Sequence, residues 1–190
     1  SHIEVVANQD DGVEFFGGTV DASNVIVWSN GDDAVDTDMA YAGTIDNVVI
    51  VNAGDKAFEL DGPEGTYEGA GHTITNATIY MEGCAGGYDD DGNTDVIVSN
   101  FFFTGVTEDT GTSNDYNVNG IFVATNIQFD VTPVDLDGES DTPNEAPSAA
   151  DYFGDMVSAG GVITEVTSGT VGANEAAFAN WTFTDLNGGI

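Results

Sequence analysis

One short unit recurs along the chain and constrains the fold more than any other feature. Asn24-Val25-Ile26-Val27 returns as Asn47-Val48-Val49-Ile50, Asn76-Ala77-Thr78-Ile79, Asn100-Phe101-Phe102-Phe103, Asn126-Ile127-Gln128-Phe129 and Asn180-Trp181-Thr182-Phe183. Each copy is Asn, an apolar or small residue, a variable one and a large apolar or aromatic one. Successive asparagines lie 23, 29, 24, 26 and 54 residues apart, the last gap close to two periods plus an insertion. A self-similar period in the twenties marks a solenoid, in which one unit cannot bury its apolar face alone. Units rich in Val, Ile, Phe and Thr, with Gly and Asn between them, are strand-like. The expected fold is all-β: a right-handed parallel β-helix of about six to seven coils with one short helical excursion, a single domain over residues 1–190.

The repeat extends to the first residues. His2-Ile3-Glu4-Val5 falls on Asn24-Val25-Ile26-Val27 at an offset of 22, which puts Asp10-Asp11 on Asp32-Asp33; an offset of 23 continues to Asp55-Lys56. The chain therefore reads as starting inside a coil, as a piece of a longer solenoid or as a unit whose open ends stack head to tail into filaments. After each acidic pair comes an alternating segment that sends Val13, Val35 and Phe58 inward, together with Phe15, Thr37 and Leu60. Glu14, Asp36 and Glu59 then point outward as one stack, with Asp38 and Asp61 as another. A further strand is expected at Gly18-Thr19-Val20, Gly43-Thr44-Ile45 and His72-Thr73-Ile74. The recurring Asn reads as an internal ladder, each amide bonding to turn backbone and to its neighbours above and below, because a buried amide needs partners. That reading also outweighs glycosylation at the sequons Asn76-Ala77-Thr78 and Asn180-Trp181-Thr182.

Excursions are expected at residues 62–72, 84–95 and 130–160. The last holds three of the four prolines and the helix, with Ser148 as N-cap and Asp151 three residues on, ending near Val157. Two excursions carry an acidic pattern: Asp89, Asp91, Asn93 and Asp95 in one, Asp135, Asp137, Glu139 and Asp141 in the other. Alternate acidic positions around a Gly turn can converge hard oxygens on Ca²⁺, although the bidentate Glu and full spacing of an EF-hand are missing.

Charge narrows the partners. There are 34 Asp and Glu against one basic residue, Lys56, for a net charge of -33. Such self-repulsion opposes compaction, so cations belong in the folded state. Nucleic acid and anionic membranes find nothing basic to meet phosphate. No apolar run of about 18 residues is available to span a bilayer. In the Glu14, Asp36, Glu59 stack, carboxylates one rung apart, about 4.8 Å, repel by ~0.9 kcal/mol even in water. Bridging Ca²⁺, diffuse counterions and shared protons are the three ways out.

A catalytic reading competes with the structural one, because paired carboxylates and β-helices suit polysaccharide chemistry. Lys56 beside the acids is the only Lys available as a base, and it reads better as a neutralising cation. Asn93-Thr94-Asp95, Asp32-Asp33 and Gly71-His72 are similar to motifs of polygalacturonase-like hydrolases, but their chain order differs and the basic substrate-binding motif is missing. A carboxylate pair also needs a cleft and one raised pKa. No catalytic residue is assigned, and the chain reads more as a non-enzyme than an enzyme.

Asn8-Gln9-Asp10-Asp11-Gly12-Val13-Glu14-Phe15-Phe16-Gly17-Gly18-Thr19-Val20 resembles a motif of secreted, often lipid-anchored, right-handed β-helix proteins of marine and environmental bacteria. Gly31 to Asp38 and Leu60 to Gly65 resemble its continuation, so the similarity covers roughly residues 2 to 85 well. The resemblance implies an extracellular or cell-surface β-solenoid and little about reaction. Together these readings describe a calcium-stabilised structural or adhesive solenoid that associates end to end. The alternative is a carbohydrate-binding or carbohydrate-active β-helix with a polysaccharide partner.

Overall fold

The computed structural model describes every residue except 68, 83, 85, 91, 92, 107–120, 133–147, 150–152 and 154–162. The first nine strands alternate between two sheets, the last three described strands also belong to the larger one, and every described pairing is parallel. The larger sheet runs β1 (Ile3–Val6), β3 (Ala22–Trp28), β5 (Thr44–Val51), β7 (His72–Tyr80), β9 (Asp95–Thr104), β11 (Ile127–Asp130) and β12 (Ile163–Val166), with β10 (Ile121–Thr125) also on β9. The smaller sheet runs β2 (Val13–Phe16), β4 (Val35–Asp38), β6 (Lys56–Leu60) and β8 (Gly86–Asp90). Consecutive strands in different sheets, with parallel partners one coil away, are the topology of a parallel β-helix.

The interior is filled by in-register files. Val25, Val48, Ala77 and Phe101 stack from coil to coil, as do Val27, Ile50, Ile79 and Phe103. Val35 and Phe58 face them from the smaller sheet, with Phe58 and Phe101 stacked at 5.2 Å between ring centroids. Ala149 and Phe153, one helical turn apart, are helical and buried. Phe153 packs edge-on against Phe103 and Phe129 and stacks on Tyr88, so it extends the core beside the last strand of the smaller sheet. The rest of the helix expected from Ser148 to Val157 lies outside the described residues apart from Ser148 itself.

The recurring asparagines bend the larger sheet. Asn24, Asn47, Asn76, Asn100 and Asn126 have φ between 52° and 62°, the left-handed region that Asn tolerates better than branched residues. His2, with φ 63°, holds the same place in the first coil. Amide bonds link Asn47 to Asn24 (2.7 Å), Asn100 to Asn76 (2.9 Å) and Asn126 to Asn100 (2.6 Å), each amide nitrogen donating to the side-chain oxygen one coil earlier. The ladder differs from the expected one in two ways. It lies at the bend, part-buried and ending at exposed Asn126, rather than wholly inside. It is also interrupted: Asn47 Oδ1 accepts from the backbone of Asn174, and Asn76 donates instead to Asp46.

Three other expectations are corrected. Asn180-Trp181-Thr182-Phe183 is no rung; Thr182 caps a short helix, Phe183–Leu186, by accepting from Asp185 N. Val20 does not align with Ile45, whose partner is Ala22; Val20 is exposed, and its carbonyl accepts from the Tyr41 hydroxyl. Residues 84–95 are not an excursion throughout, because β8 is the fourth rung of the smaller sheet and buries Tyr88.

The C-terminal segment is a strap along one outward file of the larger sheet. Register places Glu4, Ile26, Val49, Thr78, Phe102 and Gln128 in that file. The strap meets them in reverse order. Thr170 and Gln128 exchange two hydrogen bonds, Gly169 lies on the Phe102 ring, and Ala173 N donates to Thr78. Phe178, fully buried, packs with Ile26, Val49 and Val51. Last, Glu4 in β1 accepts from Phe183 N, Thr184 N and the Thr184 hydroxyl at 2.8 to 2.9 Å. These bonds outweigh the cost of burial and hold the Glu4 carboxyl below its ordinary pKa.

Candidate metal-binding face

The smaller sheet brings together what the alternating pattern put outward. Glu14 lies opposite Asp36, Asp36 opposite Glu59, and Glu59 opposite Asp89. The corner before each strand adds a second acidic file. Asp33 N donates to Asp11 Oδ1 (3.2 Å) and Lys56 N to Asp33 Oδ1 (2.6 Å), so each aspartate accepts from the backbone one coil on. Three groups have carboxylate oxygens mutually within 4.8 Å: Asp10, Asp11 and Asp32; Asp11, Glu14 and Asp36; Asp32, Asp33 and Asp55.

Crowding and partial desolvation raise the pKa of these carboxyls. Burial first, then the charges of Asp11, Glu14, Asp61 and Asp38, pushes Asp36 up to about 7. Burial and the Asp33 carboxyl beside it push Glu59 up to about 8. Burial raises Asp33 to about 6 against the opposing hydrogen bond from Lys56 N. Asp11 and Glu14 are raised too, burial being the largest cause in each. The ammonium of Lys56 lies 2.7 Å from Asp55. Burial works against its charge, but the Asp55 contact and the charges of Asp33 and Asp89 raise its pKa, so it is a fixed cation and poorly suited as a base.

The other sequence candidates are spread. Asp38, opposite Phe16, accepts from Met39 N at 2.5 Å. Asp89 and Asp90 close β8 whereas Asp95 opens β9, so the first acidic loop is divided between the two sheets. The Asn93 amide donates to the Pro63 carbonyl (3.1 Å), and the Thr94 hydroxyl donates to the Leu60 carbonyl. Asp91, Asp135, Asp137, Glu139 and Asp141 lie outside the described residues.

Asp61 joins a different feature, a groove of about 340 Å³ at the other end of the smaller sheet's strands, shared with Tyr41, Pro63, His72, Asn93 and Asp95. It unites Asn93-Thr94-Asp95 with Gly71-His72, while Asp32-Asp33 lie at the opposite corner. His72 is buried, its Nε2 3.3 Å from the Thr37 hydroxyl, and burial lowers its pKa to about 4. It is a neutral core residue rather than a poised acid.

Sequence reasoning missed the Glu4 anchor and the strap. The one available signal was Thr182 followed three residues later by Asp185, a helix start in the middle of an apparent strand repeat.

Continuous parallel rungs under an acidic outer face define the class: a parallel β-helix protein. The chain belongs to the family described as pectate-lyase like beta helix domain, whose model matches residues 1–184. Searches of curated proteins and of solved structures returned no match. No described helix is long and apolar enough to cross a membrane.

Proposed function

We propose that this β-helix is an extracellular structural or adhesive scaffold whose acidic face is neutralised by bound divalent cations, Ca²⁺ above all. The observation that carries the reading is the in-register carboxylate file Glu14, Asp36, Glu59 and Asp89, in a chain with a single Lys and no Arg to balance it. Hard divalent ions bind such oxygens, and binding only the folded state stabilises it. Copies associate end to end through the outermost described strands of the larger sheet, β1 and β12. Calorimetric titration with CaCl₂ tests the cation: saturable uptake supports the scaffold, and heats indistinguishable from buffer remove its basis. Electron microscopy with calcium added tests assembly.

The polysaccharide reading keeps one observation of its own, the groove holding Asp61 and Asp95 in a chain of this family. His72 turned toward Thr37 and Lys56 tied to Asp55 favour binding there over catalysis. A glycan array and a reducing-sugar assay decide it. Sugar release would replace the scaffold reading with an enzymatic one.

A further inference from the structure

The three acidic groups are not equivalent. Each group has a carboxylate that is occupied in part: Asp11, which two groups share, and Asp33 accept backbone hydrogen bonds, and Asp55 holds Lys56. Asp36 is different. The residue is 7% exposed, its buried Oδ1 has no hydrogen-bond partner, and the side-chain hydrogen bond it shares is with Glu14, inside the same group. Its neighbour Thr37, fully buried, donates to the Glu59 carbonyl. An unpaired buried carboxylate oxygen is costly unless a cation completes it.

We propose that Asp11, Glu14 and Asp36 form a site for one hard divalent cation of calcium size, joining the first coil to the second; this rests on the cation reading of the acidic face. The oxygens lie within 4.8 Å of one another. Ligands on opposite sides of Ca²⁺, each about 2.3–2.6 Å from it, are about 4.6–5.2 Å apart, so the group spans one ion. Asp11 comes from the corner of the first coil, Glu14 from β2 and Asp36 from β4, so the ion bridges neighbouring rungs. Glu14 is exposed, which leaves water to fill the remaining coordination positions. The donor set is all carboxylate oxygen, which suits Ca²⁺ better than zinc or copper. Mg²⁺ prefers a tighter, near-octahedral shell and gives up its water reluctantly.

The test is calcium titration of the whole chain, wild type against Asp36→Asn, Glu14→Gln and Asp32→Asn, with thermal melts in chelator and in calcium. The expected result is a site weakened roughly ten-fold or more by Asp36→Asn and by Glu14→Gln, and retained in Asp32→Asn, which belongs to the neighbouring groups only. Asp36→Asn removes a buried carboxyl crowded by Asp11 and Glu14, so it is expected to melt no lower than wild type in chelator while gaining less from calcium. Glu14→Gln, at an exposed position, carries the test if Asp36→Asn fails to fold. Wild-type calcium binding unchanged in both variants overturns this site and leaves the cation reading standing. A wild type that neither binds calcium nor melts higher in it overturns the reading itself.

Discussion

Two outward files on the same coils solve the same problem with different material. On the larger sheet, Glu4, Ile26, Val49, Thr78, Phe102 and Gln128 are met by the chain's own C-terminal strap. On the smaller sheet, Glu14, Asp36, Glu59 and Asp89 carry like charges one rung apart. Coil stacking fixes both files in register and leaves their chemistry free. The strapped file is held by burial and hydrogen bonds that are written into the chain. For the acidic file, the proposal puts bound cations in the place that the strap takes on the other face.

The comparison breaks most sharply at Phe178. Phe178→Ala empties a fully buried site under the strap and is expected to cost about 3–5 kcal/mol in denaturant unfolding. The loss should be the same in chelator and in calcium. A loss that calcium repairs would mean the two faces are coupled rather than independent.

Acidity probes the other face. In chelator, Asp33, Asp36 and Glu59 bind protons more tightly folded than unfolded, because burial raises them to about 6, 7 and 8. Their contribution is complete below about pH 4 and is lost as pH rises through 6 to 8. His72, lowered to about 4 by burial, works in the opposite sense: its contribution is present above about 6.5 and lost as pH falls through 4. Three raised acids outweigh one lowered histidine, so metal-free protein is expected to lose stability steadily as pH rises from about 4, and to melt lower at pH 8.5 than at pH 5 by roughly 5 °C. A flat profile by calorimetry would place the acids in free solution rather than in a crowded face.

The smallest expected effect is at the end of the strap. Glu4→Gln keeps the shape but loses a charge that accepts three hydrogen bonds, for about 1.5 kcal/mol. Hydrogen exchange at Phe183 and Thr184 should rise before that of the coils.

What could be read in the sequence follows from this division. Periodicity reports register directly, so the stacking of Val25 on Val48 and of Glu14, Asp36 and Glu59 was legible from offsets of 22 and 23. Asn ladder positions were legible for the same reason. The strap was not, because a segment that crosses coils follows no coil period; Asn180 shares the left-handed backbone of the ladder, φ 66°, but none of its stacking. Strand β8 was hidden by its acids: Asp89 looked like a loop ligand, whereas it faces outward beside Glu59 and leaves Tyr88 to fill the core. Alternation of an acid with an apolar residue is a strand signal even in so acidic a stretch. The Asp36 oxygen was beyond reach, since burial of an outward residue depends on neighbours that no local pattern names.

The account is tested most directly by the melting temperature of the wild-type chain at pH 8 in chelator and in millimolar calcium. Ions bound at about a hundred times their dissociation constant add about 2.7 kcal/mol per site, which raises Tm by about 5–10 °C in a chain of this length. A rise of that size is the expected result. Superimposable melts would contradict it and leave the acidic file without its counterpart to the strap.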